Sequence, residues 1–264
     1  MSTKVDELQN ILARSKRTVF FGGAGVSTES GLKDFRSVDG LYNEKYAFAP
    51  EVILSNTFFR TKTKEFFEFY RDKMILTTAQ PNPTHLYLAR NQIPVITQNI
   101  DGLHSLAVAH VKGAEVNYGT PVDDTIYELH GSIHRNYCTK CHKFYPLSKI
   151  IESAGETDGI PRCTRLVDAD GEIQQRKCNA VVKPDVVLYE ETLHQEVWGA
   201  AEQALSQADT LIVGGTSLTV YPAASLVSMF RGGTLVLINR DETAFTSVAD
   251  LVISEPIGQV FAGL

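Results

Sequence analysis

Short apolar runs that alternate with amphipathic stretches recur along most of this chain, and no other feature constrains its fold as strongly. Thr18 to Phe21 is the first run, stopped by Gly22 and Gly23, and Val95-Ile96, Thr125 to Leu129, Val186 to Leu188, Thr210 to Val213, Thr234 to Ile238 and Asp250 to Ile253 continue the series. Helical spacing fills the intervals. Lys4 to Ser15 places Val5, Leu8, Ile11 and Leu12 on one face, Asn82-Pro83-Thr84 opens a helix with a capping Asn and a first-turn Pro, and Glu196 to Leu205 and Tyr221 to Phe230 follow. Apolar strands separated by such helices are buried on both faces. They predict an α/β fold, Rossmann-like, with a doubly wound, mainly parallel sheet.

Two segments break the rhythm. Ser37 to Thr78 offers helices and loops without a strand, and its aromatic-rich part, with Phe58, Phe59, Phe66, Phe67, Phe69 and Tyr70, reads as core before groove wall. Asn136 to Val182 carries every cysteine of the chain and little periodicity. Both read as excursions from one sheet that build a smaller, zinc-containing lobe. The chain is then a single domain, residues 1–264, whose Rossmann-like lobe takes about 1–36, 82–135 and 183–264, and whose small lobe takes about 37–81 and 136–182.

A chain of 264 residues with 43% hydrophobic content can bury such a core. No stretch reaches the roughly 20 apolar residues of a membrane span, and Met1 to Lys16 lacks the apolar centre of a signal peptide, so the expectation is a cytoplasmic protein without a membrane partner. Lys and Arg number 25 against 31 Asp and Glu, a net charge of −6 with the signs interspersed. That balance argues against direct nucleic-acid binding and allows a weak attraction to basic peptide segments. The oligomeric state is left open.

Cys138-Thr139-Lys140-Cys141 is a closely spaced pair, followed by Cys163 and Cys178. Four thiolates complete a tetrahedral site with no open position, as a structural zinc requires; a redox pair or unligated core thiols are the alternatives, the former disfavoured because the pair lies outside a plausible active-site turn. A loop-rich segment with little core gains most from such a staple.

The chemistry-bearing residues gather after the strands. Gly22 to Gly31 follows the first strand and is expected to lead into a helix, where glycines let backbone N–H groups approach a pyrophosphate. A tight connection is the plainer reading, and Thr28 stands where a dinucleotide fingerprint has its third glycine. A dehydrogenase would run on into a second strand with an acidic end. This chain offers Lys33-Asp34-Phe35-Arg36-Ser37 instead, an aromatic to cover a nicotinamide and a guanidinium to meet phosphate or ribose oxygens. Gln98-Asn99-Ile100-Asp101 ends the strand at Val95, at the carboxyl edge where open α/β sheets bind ligands, although Asn99 or Asp101 could merely cap a helix. His130 ends another strand and is placed to accept a proton near neutral pH. Gly214-Gly215-Thr216-Ser217 and Asn239 occupy two further strand ends.

Gly23-Ala24-Gly25-Val26-Ser27 with Asp34-Phe35-Arg36, Thr97-Gln98-Asn99-Ile100-Asp101, His130-Gly131, the four cysteines, Lys183-Pro184-Asp185-Val186-Val187 and Gly215-Thr216-Ser217 together resemble the sirtuin family, in order, from about Lys4 to Leu264. The resemblance implies an NAD-dependent protein lysine deacylase, a deacetylase that moves the acyl group to ADP-ribose and releases nicotinamide. NAD would be the co-substrate, zinc structural, and acyl-lysine proteins or peptides the partners. It further implies that Gly23, Ala24, Gly25, Ser27, Thr28, Asp34, Phe35 and Arg36 line the NAD pocket and that Gln98 lies near the ribose. Ile100 and Asp101 would hold the nicotinamide amide, Thr216, Ser217, Asn239 and Ile257 would meet the adenosine side, Asn99 would orient a ribose hydroxyl or water, and His130 would be the general base. The peptide would extend along Val187 to Tyr189 and Leu218 to Tyr221.

The chain departs from the family pattern at several positions. Lys33 replaces a usual Pro, fourteen residues separate the second cysteine pair, and Glu190 stands where Gly is common. Members that take acidic acyl groups are expected to present Tyr and Arg three residues apart; here Tyr70 is followed by Lys73, which points to neutral acyl groups. ADP-ribosyl transfer or NAD hydrolysis at the same site, a dehydrogenase, and a non-catalytic NAD-sensing module are the competing readings.

Overall fold

The structure, a computed structural model, describes residues 3–34, 47–116, 124–168 and 175–264. Six parallel strands form the main sheet: β1 (Thr18–Gly22), β2 (Val95–Thr97), β3 (Ile126–Glu128), β9 (Thr210–Gly214), β10 (Thr234–Ile238) and β11 (Leu251–Ile253). Their order is β11-β10-β9-β1-β2-β3, so the chain builds to one side of β1 and later returns to build on the other. The crevice between β1 and β9 is the point where winding reverses.

Alternation across the pleat gives this sheet two cores. Val19, Phe21, Leu211, Val213 and Leu237 pack on one face, with Ala201 and Leu205 of α8 (Gln195–Ser206) and Leu226 of α9 (Ser225–Met229). Phe20, Ile212, Val236 and Ile238 pack on the other, with Leu8 of α1 (Thr3–Arg14), Leu88 of α5 (Pro83–Arg90) and Phe261 of α10 (Ile257–Ala262). The doubly wound parallel sheet expected from the pattern is therefore present. Asn82 caps α5 as its sequence predicts, its Oδ1 accepting from the Thr84 N–H at 3.0 Å. α6 (Leu103–Lys112), which the pattern does not single out, packs against α5, meets Phe20 of β1 through His104 and is capped by Gly113.

A second, smaller sheet is antiparallel, in the order β5 (Phe144–Pro146), β4 (Gly131–Cys138), β8 (Val182–Val186). Val186 to Leu188, expected as one more main-sheet strand, belongs to this region: Val186 ends β8 and pairs with Gly131. Its apolar run is buried against a different core, in which Phe58, Phe59, Phe66, Phe67 and Tyr70 meet Ile133, Tyr145, Leu147, Ile150 and Leu188. The aromatic stretch is core, carried on α3 (Asn56–Thr61) and α4 (Thr63–Lys73), after the short α2 (Pro50–Ile53) and opposite α7 (Leu147–Glu152). β4 and β8 lie across the positions, 135 and 183, at which the sequence reading divided its lobes. No described helix is long and apolar enough to cross a membrane.

Behind the main sheet, His85 of α5 and His104 of α6 lie buried with ring centroids 4.5 Å apart. Burial holds both imidazoles neutral: His104 is pushed down to about 3, and His85 falls well below its usual value through burial and then the neighbouring His104. A depressed histidine favours the folded state above its unfolded value and loses that advantage as pH falls towards its folded one. Stability should thus be undiminished by this pair above about pH 6.5 and decline progressively below it. Urea titrations at several pH values should show that decline, and His104→Phe should flatten it; an unchanged acid limb in the variant would remove the pair as its cause.

Candidate active site

The glycine loop after β1 does not enter an α-helix as expected. It folds into two 3₁₀ turns, Ala24–Val26 and Thr28–Ser30. The reason lies at the crevice, where the Gly23 N–H donates to the Gly214 carbonyl at 3.3 Å and the Gly25 N–H to the Gly215 carbonyl at 2.8 Å. A methyl group on Gly25 would stand 2.8 Å from the Gly215 Cα and 2.9 Å from its carbonyl oxygen. Two strand-end glycine turns are thus pressed together, and the loop spends on the neighbouring turn amides that a helix would have turned inward. Asn82, absent from the expected site, ties the far side: its Nδ2 donates to the Val26 carbonyl at 2.7 Å and to Ser30 Oγ at 3.1 Å. Its sequence signal, a helix cap, gave no hint of this second duty.

A cavity of about 930 Å³ opens above these strand ends. Ala24, Gly25, Ser27, Thr28, Asp34, Gln98, Asn99, Ile100, Asp101, His130, Thr216, Ser217, Asn239 and Ile257 all line it. Gly23 lies behind the wall, where an added Cβ would meet Thr216 Cβ at 2.7 Å. Phe35 and Arg36 lie outside the described residues.

Gln98 connects the parts. Its N–H donates to the Gly22 carbonyl at 2.9 Å, its Oε1 accepts from Thr216 Oγ1 at 2.8 Å, and its carbonyl lies 2.9 Å from His130 Nδ1. A carbonyl can only accept, so His130 carries its proton on Nδ1 and keeps the Nε2 lone pair as a base. Burial pushes the His130 imidazole below its usual value, an effect that the bond to Gln98 partly offsets. The neutral, proton-accepting form therefore dominates at neutral pH.

Asp101 both caps and lines. Its Oδ1 accepts from the Leu103 N–H at 2.9 Å at the start of α6, and its Oδ2 accepts from Ser27 Oγ at 2.7 Å. Burial raises its carboxyl, while those two hydrogen bonds act in the other direction. Asn99, also buried, donates from Nδ2 to the same Ser27 Oγ at 3.1 Å. Arg135 of β4 joins both sheets, with Nη1 2.6 Å from Glu128 Oε2 and Nε 2.8 Å from Asp185 Oδ2.

Val187, Leu188, Tyr189, Val220 and Tyr221 line the cavity mouth. The N–H groups of the first three are engaged within the chain, with the His130 carbonyl, Glu191 Oε2 and the Leu54 carbonyl. An extended peptide would meet this segment through other groups than those amides. Glu190 adopts a left-handed φ of 74°, the conformation for which glycine is usual, and its carboxylate accepts from the Thr57 N–H at 2.8 Å. Lys73 lines the cavity, whereas Tyr70 is fully buried in the aromatic core, with burial raising its phenol.

All four cysteines are free and their Sγ atoms lie within 4.8 Å of one another. The N–H groups of Lys140 and Cys141 point at Cys138 Sγ at 3.4 Å, as they would at a thiolate. The stretched spacing of the second pair is bridged by β6 (Leu166–Asp168) and β7 (Gln175–Lys177), antiparallel strands that bring Cys163 and Cys178 together. Such a donor set, without an open position, fits a structural tetrahedral metal.

Residues 23–222 match the model of the Sir2 family. The NAD-dependent protein deacetylase of Clostridium acetobutylicum is 50% identical over 264 residues, covering 97% of this chain and 96% of its own, and that of Clostridium perfringens is 47% identical, covering 98% of each. A solved Sir2 complex with a p53 peptide and NAD+ superimposes with a TM-score of 0.78 at 31% identity, covering 98% of this chain and 96% of its own. Another, holding a deacetylated p53 peptide and 3′-O-acetyl ADP-ribose, gives 0.81 at 32% identity with the same coverage.

The contact between the two glycine turns generates a direct test. Gly25→Ala should raise the NAD dissociation constant by about tenfold or more, because the backbone of Gly215 has nowhere to retreat. Calorimetric titration with NAD measures it, and near-native affinity would mean that the turns are free to separate.

Proposed function

The chain belongs to the Sir2 family, and from that premise we propose how the residues of its cavity divide the work of NAD-dependent lysine deacylation. The enzyme is an NAD-dependent protein lysine deacylase that takes the acyl group from lysine to ADP-ribose with release of nicotinamide. One observation carries the assignment of the base: the bond from His130 Nδ1 to the Gln98 carbonyl leaves Nε2 free to accept a proton in the cavity, and a Sir2 relative is solved in complex with NAD+.

NAD, when bound, supplies an electrophilic ribose carbon and a nicotinamide leaving group. His130 accepts the proton of a ribose hydroxyl and so makes that oxygen a nucleophile towards the acyl carbon. Asn99, fixed by Ser27, orients the hydroxyl or a water molecule. Asp101 keeps acceptor lone pairs for the nicotinamide amide beside Ile100. Ala24, Gly25, Ser27, Thr28 and Asp34 offer the phosphates a loop whose glycine permits close approach, with Gly23 holding it in place; by residue type, Phe35 suits the nicotinamide ring and Arg36 the phosphate or ribose oxygens. Thr216, Ser217, Asn239 and Ile257 take the adenosine half. The acyl-lysine enters between Val187–Tyr189 and Leu218–Tyr221. Burial of Tyr70 away from the cavity supports a neutral acyl group such as acetyl.

The four cysteines hold zinc as a staple, in a chain that divides into a Rossmann-like lobe and a small zinc lobe. Unpaired, clustered thiols also support a reducing compartment, the cytoplasm.

Nicotinamide release from NAD should depend on an acetyl-lysine peptide; equal release without peptide would make the enzyme an NAD hydrolase. His130→Ala should cut deacylation by roughly 10²- to 10⁴-fold while NAD affinity stays within a few-fold. Because protonation of a depressed imidazole needs a pH below its ordinary value, the acid limb of kcat/KM should fall below about pH 6.5. Zinc removal by a chelator should lower the melting temperature, and readdition should restore it; an unaltered melting curve with the metal gone would leave the thiol cluster without a structural task.

A further inference from the structure

The acyl-lysine is one side chain of an extended segment, and its neighbours in that segment stay at the cavity mouth between Val187–Glu190 and Leu218–Tyr221, a placement that rests on the deacylase reading above. An extended chain advances about 3.3 Å per residue, so the two residues on either side of the lysine lie within about 7 Å of it along the chain. Any fixed charge at the mouth meets them.

The two walls carry little uncompensated charge. Thr216, Ser217, Val220, Tyr221 and Pro222, which line one wall, are all uncharged. On the other, the Glu191 carboxylate is occupied: its Oε2 lies 2.9 Å from Lys183 Nζ and accepts from the Leu188 N–H at 2.9 Å. Lys73, which reaches the cavity from α4, lies 3.1 Å from Asp72 Oδ2. Glu190 differs from these. It lines the cavity with an exposed side chain and has no ion pair among the described residues. Hydrogen bonds from Thr57, side chain and backbone, hold its carboxyl below the usual range, so it is ionised at neutral pH. A carboxylate has about four acceptor sites, and Thr57 fills two of them at most. The remaining sites are open to a cationic donor.

The backbone gives a second indication. At a φ of 74° a glycine would make the same turn without conformational cost, so the turn itself does not call for a carboxylate. We propose that Glu190 is a specificity residue of the deacylase: its carboxylate receives a lysine or arginine side chain that lies one or two residues from the acyl-lysine, and the enzyme thereby selects acyl-lysines set in basic segments. Anchoring by Thr57 orders the carboxylate before the peptide arrives, which lowers the cost of the pairing. The net charge of −6 favours the approach of the same segments. An acidic residue at that position would face a like charge and be rejected.

The test measures deacetylation of one acetyl-lysine peptide with Arg, Ala or Glu placed in turn at the two positions before and the two positions after the modified lysine. At the responsive position the wild type should show a kcat/KM for the Arg peptide about 3- to 5-fold above that for Ala and about tenfold above that for Glu, expressed in KM. Sodium chloride at about 0.5 M should compress the difference. Glu190→Gln keeps an acceptor for Thr57 and removes the charge, and it should bring the Arg:Glu ratio to within about twofold of one while KM for NAD stays as it is. Glu190→Gly, which keeps the turn and serves if the glutamine variant folds poorly, should do the same. An Arg:Glu ratio near one in the wild type, or a ratio that survives unchanged in Glu190→Gln, overturns the proposal. Should the wild type leave every peptide acetylated, the deacylase reading fails, and dissociation constants of the same peptides by fluorescence anisotropy decide on Glu190 by the same ratios.

Discussion

The site hangs on Gln98. Through its N–H, carbonyl and side-chain amide it bonds to Gly22 at the end of β1, His130 at the end of β3 and Thr216 beyond β9, so one residue sets the distances among three strand ends. The two side-chain bonds are part-buried, where an unpaired amide or carbonyl is costly. The orientation of the His130 ring and the tautomer it holds follow from the same carbonyl. The His130 ring, the glycine turn after β1 and the turn beyond β9 are therefore held by a single local geometry.

Much of this could be read from the sequence, for an identifiable reason. Strand ends of a parallel sheet converge on one edge, so polar residues that follow apolar runs fall together in space however far apart they are in the chain. Ser27, Gln98, Asp101, His130, Thr216 and Asn239 were all found by that rule, and the cavity contains each of them. Where the rule gave no information, the reading failed. The sequence predicts a helix after the glycine loop, because strand–glycine–helix is the common connection; in the fold the second glycine turn takes its amides and leaves 3₁₀ geometry. Val186 to Leu188 was placed in the main sheet because a buried run reads alike whichever core buries it. Asn82 is missed because a cap motif carries no signal for a partner dozens of residues away.

Glu190 illustrates how a departure from a family pattern is accommodated. A side chain in the left-handed region carries a conformational cost that glycine avoids. Here the carboxylate is directed to the Thr57 N–H, an orphan donor at the start of α3, and the cost is offset by a charge-assisted bond. The adjoining residues repeat the theme: Glu191 accepts from Asn56, Lys183 and the Leu188 N–H, and Tyr189 exchanges backbone bonds with Leu54 and Asn56. The cleft wall at 187–191 is consequently strapped to α2 and α3. A glycine there would keep the turn and lose one strap.

The strand β4 links the thiol cluster to the cavity, so a metal held by those thiols would act on the site through position. It begins at Gly131, directly after His130, and ends at Cys138, a span of about 23 Å at 3.3 Å per residue. Over that distance a closed four-thiolate metal site cannot polarise a bond in the cavity; what β4 can transmit is position. Gly131, at a φ of 75°, packs so closely on β8 that any side chain would collide with the Asp185 carbonyl, and Arg135 clamps the same strand to Glu128 and Asp185. The cluster fixes one end of β4, the glycine contact and the ion pairs fix the other, and His130 is the residue that the fixed end presents to the cavity.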